Sequence, residues 1–164
     1  MSRAWVERAR LLIAAASLAL VGAAWAQTAK LPADAVDGFR AALKRKDTGG
    51  ALSYLDRSLV VFEFGITDPT VEAYALSHLP GDIDMAAVSD WTLQARRVGG
   101  SGNGNERWVL STYHVTGKLP DGKAIDEVMQ ETAIVRLVGD SFRIVHLHWS
   151  SDRSSAQPPR PAAP

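Results

Sequence analysis

Hydrophobic residues near the start of the chain recur at helical spacing. Val36, Phe39, Ala42 and Leu43 fall on one stripe, with a period close to that of an α-helix. This stripe predicts a first helix over Leu31–Lys46. Acidic residues occupy its first turn and basic residues its last turn, which suits the helix dipole.

Shorter elements are predicted between this helix and the end of the chain. Thr70 is a suitable cap for the third helix, and Leu79-Pro80-Gly81 is expected to end that helix. In chain order the predicted elements are a short helix Ala51–Asp56, a strand Ser58–Phe64, a third helix Val71–His78, a strand Val88–Val98 and a strand Arg107–Gly117.

The last part of the chain predicts two long strands joined by a tight turn. Ile125–Leu137 and Phe142–Trp149 are rich in β-branched and apolar residues, and Gly139-Asp140 between them suits a two-residue turn with a positive φ. Strict alternation would put four side chains on one face of the last strand: Phe142, Ile144, His146 and His148. Neither face of this strand is purely polar, so it is expected to be central or to meet another subunit.

The order of the elements predicts the fold class. Helices come first and four long strands follow as a meander, which is an α+β arrangement. We expect the N-terminal helices to pack on one face of a curved antiparallel sheet. We find no internal repeat and no heptad pattern.

The first 26 residues have the pattern of a signal peptide. Arg3, Arg8 and Arg10 precede an apolar run over Leu11–Ala24, and Ala24-Trp25-Ala26 is an A-x-A cleavage site. The alternative is a retained membrane anchor, but the run is shorter than the roughly 20 apolar residues of a spanning helix. The sequence therefore predicts an exported protein, periplasmic or secreted, with a signal peptide over 1–26, one domain over 27–150 and a disordered tail over 151–164.

Composition excludes some functions of this domain. The whole chain has a formal net charge of +0, and without the three arginines and one glutamate of residues 1–26 the remainder carries −2. A nucleic-acid partner, which demands a basic surface, is not expected. The chain has no cysteine. An exported domain without disulfides depends on its hydrophobic core for stability.

Three stretches resemble the nuclear transport factor 2-like superfamily, in its SnoaL-like branch of exported bacterial proteins. They are the end of the first helix, Ala41-Ala42-Leu43-Lys44, with Gly49-Gly50 beyond it, the strand Val60-Val61-Phe62-Glu63, and the ending Phe142–Ser150. The ending is also similar to the last strand of the association domain of calcium/calmodulin-dependent kinase II. The resemblance covers about Ala33–Ser150.

This resemblance implies a cone-shaped fold with a pocket between sheet and helices, and often a homodimer through the sheet. Members include ketosteroid isomerase-like enzymes, cyclases, dehydratases and binding modules, so it implies no single activity. Isomerase-like members use a buried carboxylate with Tyr or protonated Asp donors. Residues of these types are Tyr54, Tyr74, Tyr113, Glu63, Asp126 and Glu131, and none lies in a matching motif. The pocket candidates are Glu63, Tyr74, Tyr113 and Glu131.

The histidines suggest a second kind of site. His146 and His148 are two apart on one predicted strand, and His78 precedes Asp82 and Asp84. Three imidazoles with Asp82 or Asp84 as a fourth ligand would suit Cu or Zn. The alternative is that each histidine is a structural residue with a hydrogen-bonded neighbour. His114, beside two threonines on its own strand face, is equally explained by packing in a dimer.

Three functions follow from these patterns. The first is an exported domain that binds a small ligand in its cone. The second is a periplasmic Cu- or Zn-binding protein that uses His78, His146, His148 and Asp82. The third is a lyase or isomerase with a carboxylate in the pocket. We also expect a homodimer, because apolar residues occur on both faces of the last two strands.

Overall fold

The computed structural model describes residues 28–63, 65–100 and 104–152. The predicted signal peptide and most of the predicted tail lie outside these residues. The helices are α1 (Pro32–Lys44), α2 (Thr48–Ser53), α3 (Val71–Leu76) and α4 (Leu79–Val88). The strands are β1 (Leu55–Glu63), β2 (Ile66–Asp68), β3 (Ser89–Gly99), β4 (Glu106–Lys118), β5 (Ala124–Val138) and β6 (Ser141–Asp152).

The strands form one six-stranded sheet in the order β2-β1-β6-β5-β4-β3. Strands β3 to β6 form the predicted antiparallel meander. Strand β1 pairs with β6 in parallel, so the sheet is mixed and the predicted all-antiparallel arrangement is wrong at this pair. The connection from β1 to β6 passes through both later helices and the whole meander, which is the kind of crossover that parallel neighbours require.

The core lies between α1 and the face of the sheet that this helix covers. The predicted stripe of α1 is buried, with Val36, Phe39 and Ala42 fully inaccessible to solvent. The Phe39 ring stacks on Trp149 of β6 at a centroid distance of 6.3 Å. Burial of each large apolar side chain contributes about 1.5–3 kcal/mol relative to exposure, so this stripe fixes the helix to the sheet.

Two local predictions are confirmed by the backbone. Gly139 has a φ of 64°, and Val138 pairs with Ser141 across the two-residue turn. The Thr70 hydroxyl accepts a hydrogen bond from the Ala73 amide at 3.1 Å and caps α3. Both the turn and the helix cap are determined by residues at most four positions apart, so local sequence patterns predict them well.

Strand β6 does not keep the predicted alternation. Ile134 pairs with His146 while Val135 pairs with Ile144, so Val145 is an extra residue in a β-bulge. Ile144 is therefore buried in the core, whereas His146 lies on the outer face, which we define as the sheet face turned away from the helices. The prediction that Ile144 shares a face with His146 and His148 is wrong for this reason.

Helix α4 is a further departure from the sequence prediction. Leu79-Pro80-Gly81 was expected to end a helix, but these residues form the first turn of α4. Proline is well tolerated in a first turn, since the amide that it lacks would have no helical partner there. Within the described ranges, no helix is long and apolar enough to cross a membrane.

Candidate functional site

A cavity of about 320 Å³ opens between the helices and the sheet face that they cover. Most of its apolar lining comes from α1, α4 and the last two strands. The lining residues are Arg40, Leu43, Glu63, Ser77, His78, Gly81, Asp82, Met85, Ala86, Trp91, Glu127, Met129 and Trp149. The cavity is thus largely hydrophobic, with a group of ionisable side chains at one end.

Glu63 ends β1 with its side chain on the cavity side. Strand alternation buries Leu59, Val61 and Glu63 and turns Phe62 outward. Glu63 is only 6% exposed, and its Oε2 atom has no hydrogen-bond partner among the described residues. Burial, with the nearby carboxylates of Asp82 and Asp68, raises the pKa of Glu63 to about 7. Near neutral pH this carboxyl therefore exchanges between acid and base.

Asp82 stands in the first turn of α4, beside Glu63 in the cavity wall. The hydroxyl of the fully buried Tyr74 donates to its Oδ2 at 2.5 Å. Burial raises the pKa of Asp82 to about 6 although the hydrogen bond from Tyr74 acts in the opposite direction. Burial also raises the pKa of Tyr74 well above its usual value, so this residue remains a donor at any physiological pH.

His78 faces the same end of the cavity and is held from behind. Its Nδ1 lies 2.5 Å from Oδ2 of Asp68, whose other oxygen accepts from the Ser77 hydroxyl at 2.6 Å. The hydrogen bond to Asp68 raises the pKa of His78. Burial favours the neutral acid of Asp68, but the bonds from Ser77 and His78 outweigh it and lower its pKa. Only Nε2 of the ring remains to meet a ligand.

A second buried carboxylate, Glu131, lies behind the opposite wall. It is paired with the Arg40 guanidinium and accepts from the indole Nε1 of Trp149 at 2.7 Å. The guanidinium is sandwiched between the rings of Trp91 and Tyr113, 4.0 Å and 4.1 Å from their centroids. Stacking on two aromatic faces and an ion pair fix Arg40 rigidly in the wall of the cavity.

The predicted pocket residues fall into two groups. Glu63 lines the cavity, and Tyr74 lies directly behind Asp82. Tyr113 and Glu131 are buried in the network around Arg40 and do not line the cavity themselves. Sequence patterns identified buried polar residues on the correct face of the sheet, but they could not separate the cavity wall from the layer behind it.

Two other acid–base candidates lie away from the cavity. The ring of Tyr54 is buried against Gly38 of α1, so closely that a Cβ atom added to Gly38 would lie 2.2 Å from the ring. Asp126 is exposed on the outer face, where its Oδ1 lies 2.7 Å from Nε2 of His114. Neither residue can reach a ligand in the cavity.

The structure separates the three predicted metal-binding histidines. His146 and His148 lie on the outer face, where both rings contact Phe62 edge-on at 5.1 Å and 6.4 Å. His78 lies on the other side of the sheet in the cavity, paired with Asp68. In the part of the chain that the structure describes, no group of three or more His, Asp or Glu side chains could hold a metal ion. The arrangement of His78, His146, His148 and Asp82 around one Cu or Zn is therefore wrong.

Several cavity residues were missed at the sequence level. Met85 and Ala86 belong to α4, which the sequence analysis did not predict, and Pro80 in its first turn was the available signal. Trp91 and Trp149 also line the cavity, and neither was among the predicted pocket residues. Arg40 lies at the edge of the α1 stripe, four residues after Val36, and only the tertiary fold reveals that its guanidinium is sandwiched between aromatic rings.

Comparison with known proteins supports the fold. No protein-family model matches the sequence, and neither does any curated protein. A candidate ketosteroid isomerase from Shewanella frigidimarina superimposes with a TM-score of 0.67 at 24% identity, over 79% of this chain and 98% of that one. A candidate dehydratase of the nuclear transport factor 2-like family from Streptomyces avermitilis superimposes with a TM-score of 0.62 at 14% identity, over 73% of this chain and 93% of that one.

A candidate association domain of calcium/calmodulin-dependent protein kinase II from Xanthomonas campestris also superimposes, with a TM-score of 0.62 at 16% identity, over 77% of this chain and 95% of that one. The chain has the nuclear transport factor 2-like fold, so the predicted fold and α+β class are confirmed, whereas the exported SnoaL-like branch stays a prediction. These similarities concern the fold alone.

Proposed function

We propose that the protein is a small-molecule-binding domain of the nuclear transport factor 2-like fold, with its ligand in the cavity between α1, α4 and the sheet. The main evidence is Glu63, a buried carboxylate that lines a largely apolar cavity and whose Oε2 has no partner among the described residues. An unpaired buried polar atom costs about 1–3 kcal/mol, and a ligand donor would remove that cost.

Cavity size and lining support this proposal. A volume of about 320 Å³ lies at the lower end of the range for ligand pockets. Apolar walls with a few convergent polar groups are the usual composition of such sites. The ligand is expected to be small, with a mainly hydrophobic body and at least one hydrogen-bond donor.

Binding can be tested with N-phenyl-1-naphthylamine, an uncharged dye whose fluorescence rises in apolar surroundings. We expect the wild-type protein to bind it and Ala86→Leu, which fills the cavity, to bind it at least about tenfold more weakly. The matched control is Ala87→Leu, the same change at the next position of α4, outside the lining. Equal binding by both variants, or none by the wild type, would reject the cavity as the site.

A second candidate function is proton transfer of the ketosteroid isomerase type. It is favoured by the Glu63 pKa of about 7, which suits a general base at neutral pH, and by the position of this carboxyl in a largely apolar cavity. The test is the isomerisation of 3-cyclohexenone to its conjugated isomer, followed by ultraviolet absorbance. Loss of a positioned base should lower the rate about 10²–10⁴-fold in Glu63→Gln. A wild-type rate no higher than that of this variant would exclude Glu63 as a base for this enone.

We further propose that the protein is exported, periplasmic or secreted, on the evidence of its N-terminal sequence. Intact-mass measurement of the protein made in a bacterial host with its natural start should give a chain that begins at Gln27. A soluble cytoplasmic product that retains residues 1–26 would contradict export.

We also propose that the protein forms a homodimer through its outer face. Phe62 is 44% exposed there and lies against His146 and His148. Its support includes the similarity to a candidate association domain. Light scattering should give twice the monomer mass at micromolar concentration, and Phe62→Asp should give monomer. A wild-type protein that is monomeric under these conditions would refute it.

A further inference from the structure

The charges of the cavity wall are unevenly satisfied. Its two basic groups are each already paired with an acid that does not line the cavity. Arg40 is paired with Glu131, and His78 is paired with Asp68. Because each positive charge is balanced from behind, His78 and Arg40 only partly offset the charges of the carboxylates inside the cavity, and the pKa values of Glu63 and Asp82 remain raised.

The acids at the end of the cavity have no such partner. Within the described ranges, neither Glu63 nor Asp82 forms an ion pair, and the Oε2 atom of Glu63 has no hydrogen bond. Asp82 accepts from the neutral hydroxyl of Tyr74. Two buried carboxylates close to each other repel when both are ionised, and this repulsion is relieved either by a proton on one of them or by an incoming positive charge.

We propose that the ligand is an organic cation: a small hydrophobic amine whose ammonium group donates to Glu63 Oε2 and whose apolar body lies against Leu43, Met85 and Trp149. This inference rests on the ligand-binding function proposed above and specifies its ligand class. An ammonium has several donors and no acceptor, which matches an unpaired carboxylate oxygen beside a second acid. An indole ring in the wall also favours cations.

Groups from every side of Glu63 support this choice. Asp82 and His78 face it from α4 and its cap, and Asp68 from β2, while Arg40 and Glu127 line the same cavity from α1 and β5. The acids outnumber the bases, and both bases are paired. An anionic ligand would therefore meet net repulsion, whereas a cation would replace part of its lost hydration with charge-assisted hydrogen bonds.

Cation binding must then be linked to proton release. An ammonium favours the ionised form of Glu63, so affinity should rise as this carboxyl ionises between pH 5.5 and 8. For a carboxyl that titrates near neutrality, the ionised fraction changes about 30-fold over this interval. A neutral ligand of the same shape has no such requirement and should show little dependence on pH.

The experiment is isothermal titration calorimetry with three probes of one shape: 2-phenylethylamine, 2-phenylethanol and phenylacetate. At pH 8 we expect the amine to bind at least about tenfold more tightly than the alcohol, and phenylacetate to bind more weakly than either. At pH 5.5 the amine should lose at least about tenfold in affinity. Titrations of the amine at pH 7 in two buffers of different ionisation enthalpy should show net proton release on binding.

Glu63→Gln keeps the shape of the side chain and removes its charge. In this variant the amine should bind no more tightly than the alcohol at pH 8, while Glu72→Gln, the same change at an exposed position of α3, should keep the preference. Tight binding of the alcohol without any preference for the amine would overturn the cation inference but keep a ligand-binding cavity. No binding of any probe would overturn both.

Discussion

Two buried glutamates on the two sides of this cavity differ in how their charge is satisfied. Glu131 has a side chain with no solvent exposure, an ion pair with Arg40 and a hydrogen bond from Trp149. Glu63 is buried almost as fully, but its Oε2 has no partner among the described residues and its pKa is raised to about 7.

This difference separates two uses of the same side chain. A buried charge that is fully paired holds its neighbours in one arrangement, and removal of one partner leaves the other uncompensated. A buried acid without a partner destabilises the folded protein and persists where it serves a ligand or a reaction. On this account Glu131 belongs to the supporting layer behind the cavity wall, and Glu63 belongs to the site.

The largest predicted effect comes from the paired glutamate. Glu131→Gln should lower the free energy of unfolding by about 3–5 kcal/mol, because the Arg40 guanidinium would remain buried without its counter-charge. Urea unfolding at pH 7 measures this loss. The double variant Arg40→Met/Glu131→Met removes both charges and should recover at least about half of it. A single variant as stable as the wild type would contradict a structural role for Glu131.

Removal of the Glu63 charge should have the opposite effect on the free energy of unfolding. Since the pKa of Glu63 is higher folded than unfolded, the wild type loses stability as pH rises from about 4.5 to about 7. This difference corresponds to roughly 3 kcal/mol at full ionisation. Glu63→Gln should therefore be more stable than the wild type at pH 8 by up to about 3 kcal/mol, and of similar stability at pH 4.

Urea unfolding curves at pH 4, 6 and 8 test this prediction, with the exposed Glu72→Gln as a control that should leave stability unchanged. A Glu63→Gln protein that is destabilised equally at all three pH values would show that the carboxyl has native partners, as Glu131 does.

Asp82 is intermediate between the two glutamates, because it accepts a hydrogen bond from Tyr74 but forms no ion pair within the described residues. The variant Tyr74→Phe tests this hydrogen bond. It removes the hydroxyl that donates to Asp82 and should lower the free energy of unfolding by about 1–2 kcal/mol at pH 8. Since that hydrogen bond favours the ionised carboxylate, the pKa of Asp82 should rise above its wild-type value of about 6. Carboxyl NMR titration measures this shift, and a lower pKa in the variant would be inconsistent with the hydrogen bond.

The smallest effect is expected at His78. Asp68→Asn removes the carboxylate that raises the pKa of this imidazole, so its pKa should fall. The protonated ring stabilises the fold below its unfolded pKa, and this contribution is lost as pH rises through the folded pKa. The variant should therefore lose stability mainly below pH 6. Proton NMR of the His78 ring is the measurement, and an unchanged pKa of His78 in the variant would contradict the pairing with Asp68.

The sequence predicted the fold from local and periodic signals. The α1 stripe, the Thr70 cap and the Gly139 turn each depend on residues close in the chain, and the order of helices and strands then identified the α+β class. The family resemblance was carried by similar local stretches. Periodicity failed where one inserted residue, Val145, reversed the facing of the strand beyond it.

The site was harder to predict, because burial and pairing are tertiary properties. Glu63 was one of four pocket candidates, and the alternation of β1 alone could not show that it lines the cavity while Glu131 lies behind the wall. Arg40 gave no signal, since its partners Glu131 and Trp91 are distant in sequence. The predicted metal site failed because His146 and His148, which share a strand, lie on the outer face, whereas His78 lies in the cavity on the other side of the sheet.

The central claim is that Glu63 is a buried acid whose Oε2 has no partner among the described residues and which is kept for a ligand. Its most direct test is the carboxyl ¹³C NMR titration of Glu63, assigned by comparison with Glu63→Gln. We predict a midpoint of about 7 in the free protein. Saturation with 2-phenylethylamine should lower the midpoint by at least about one pH unit. A midpoint near the ordinary value of 4.5, unchanged by the amine, would contradict the claim.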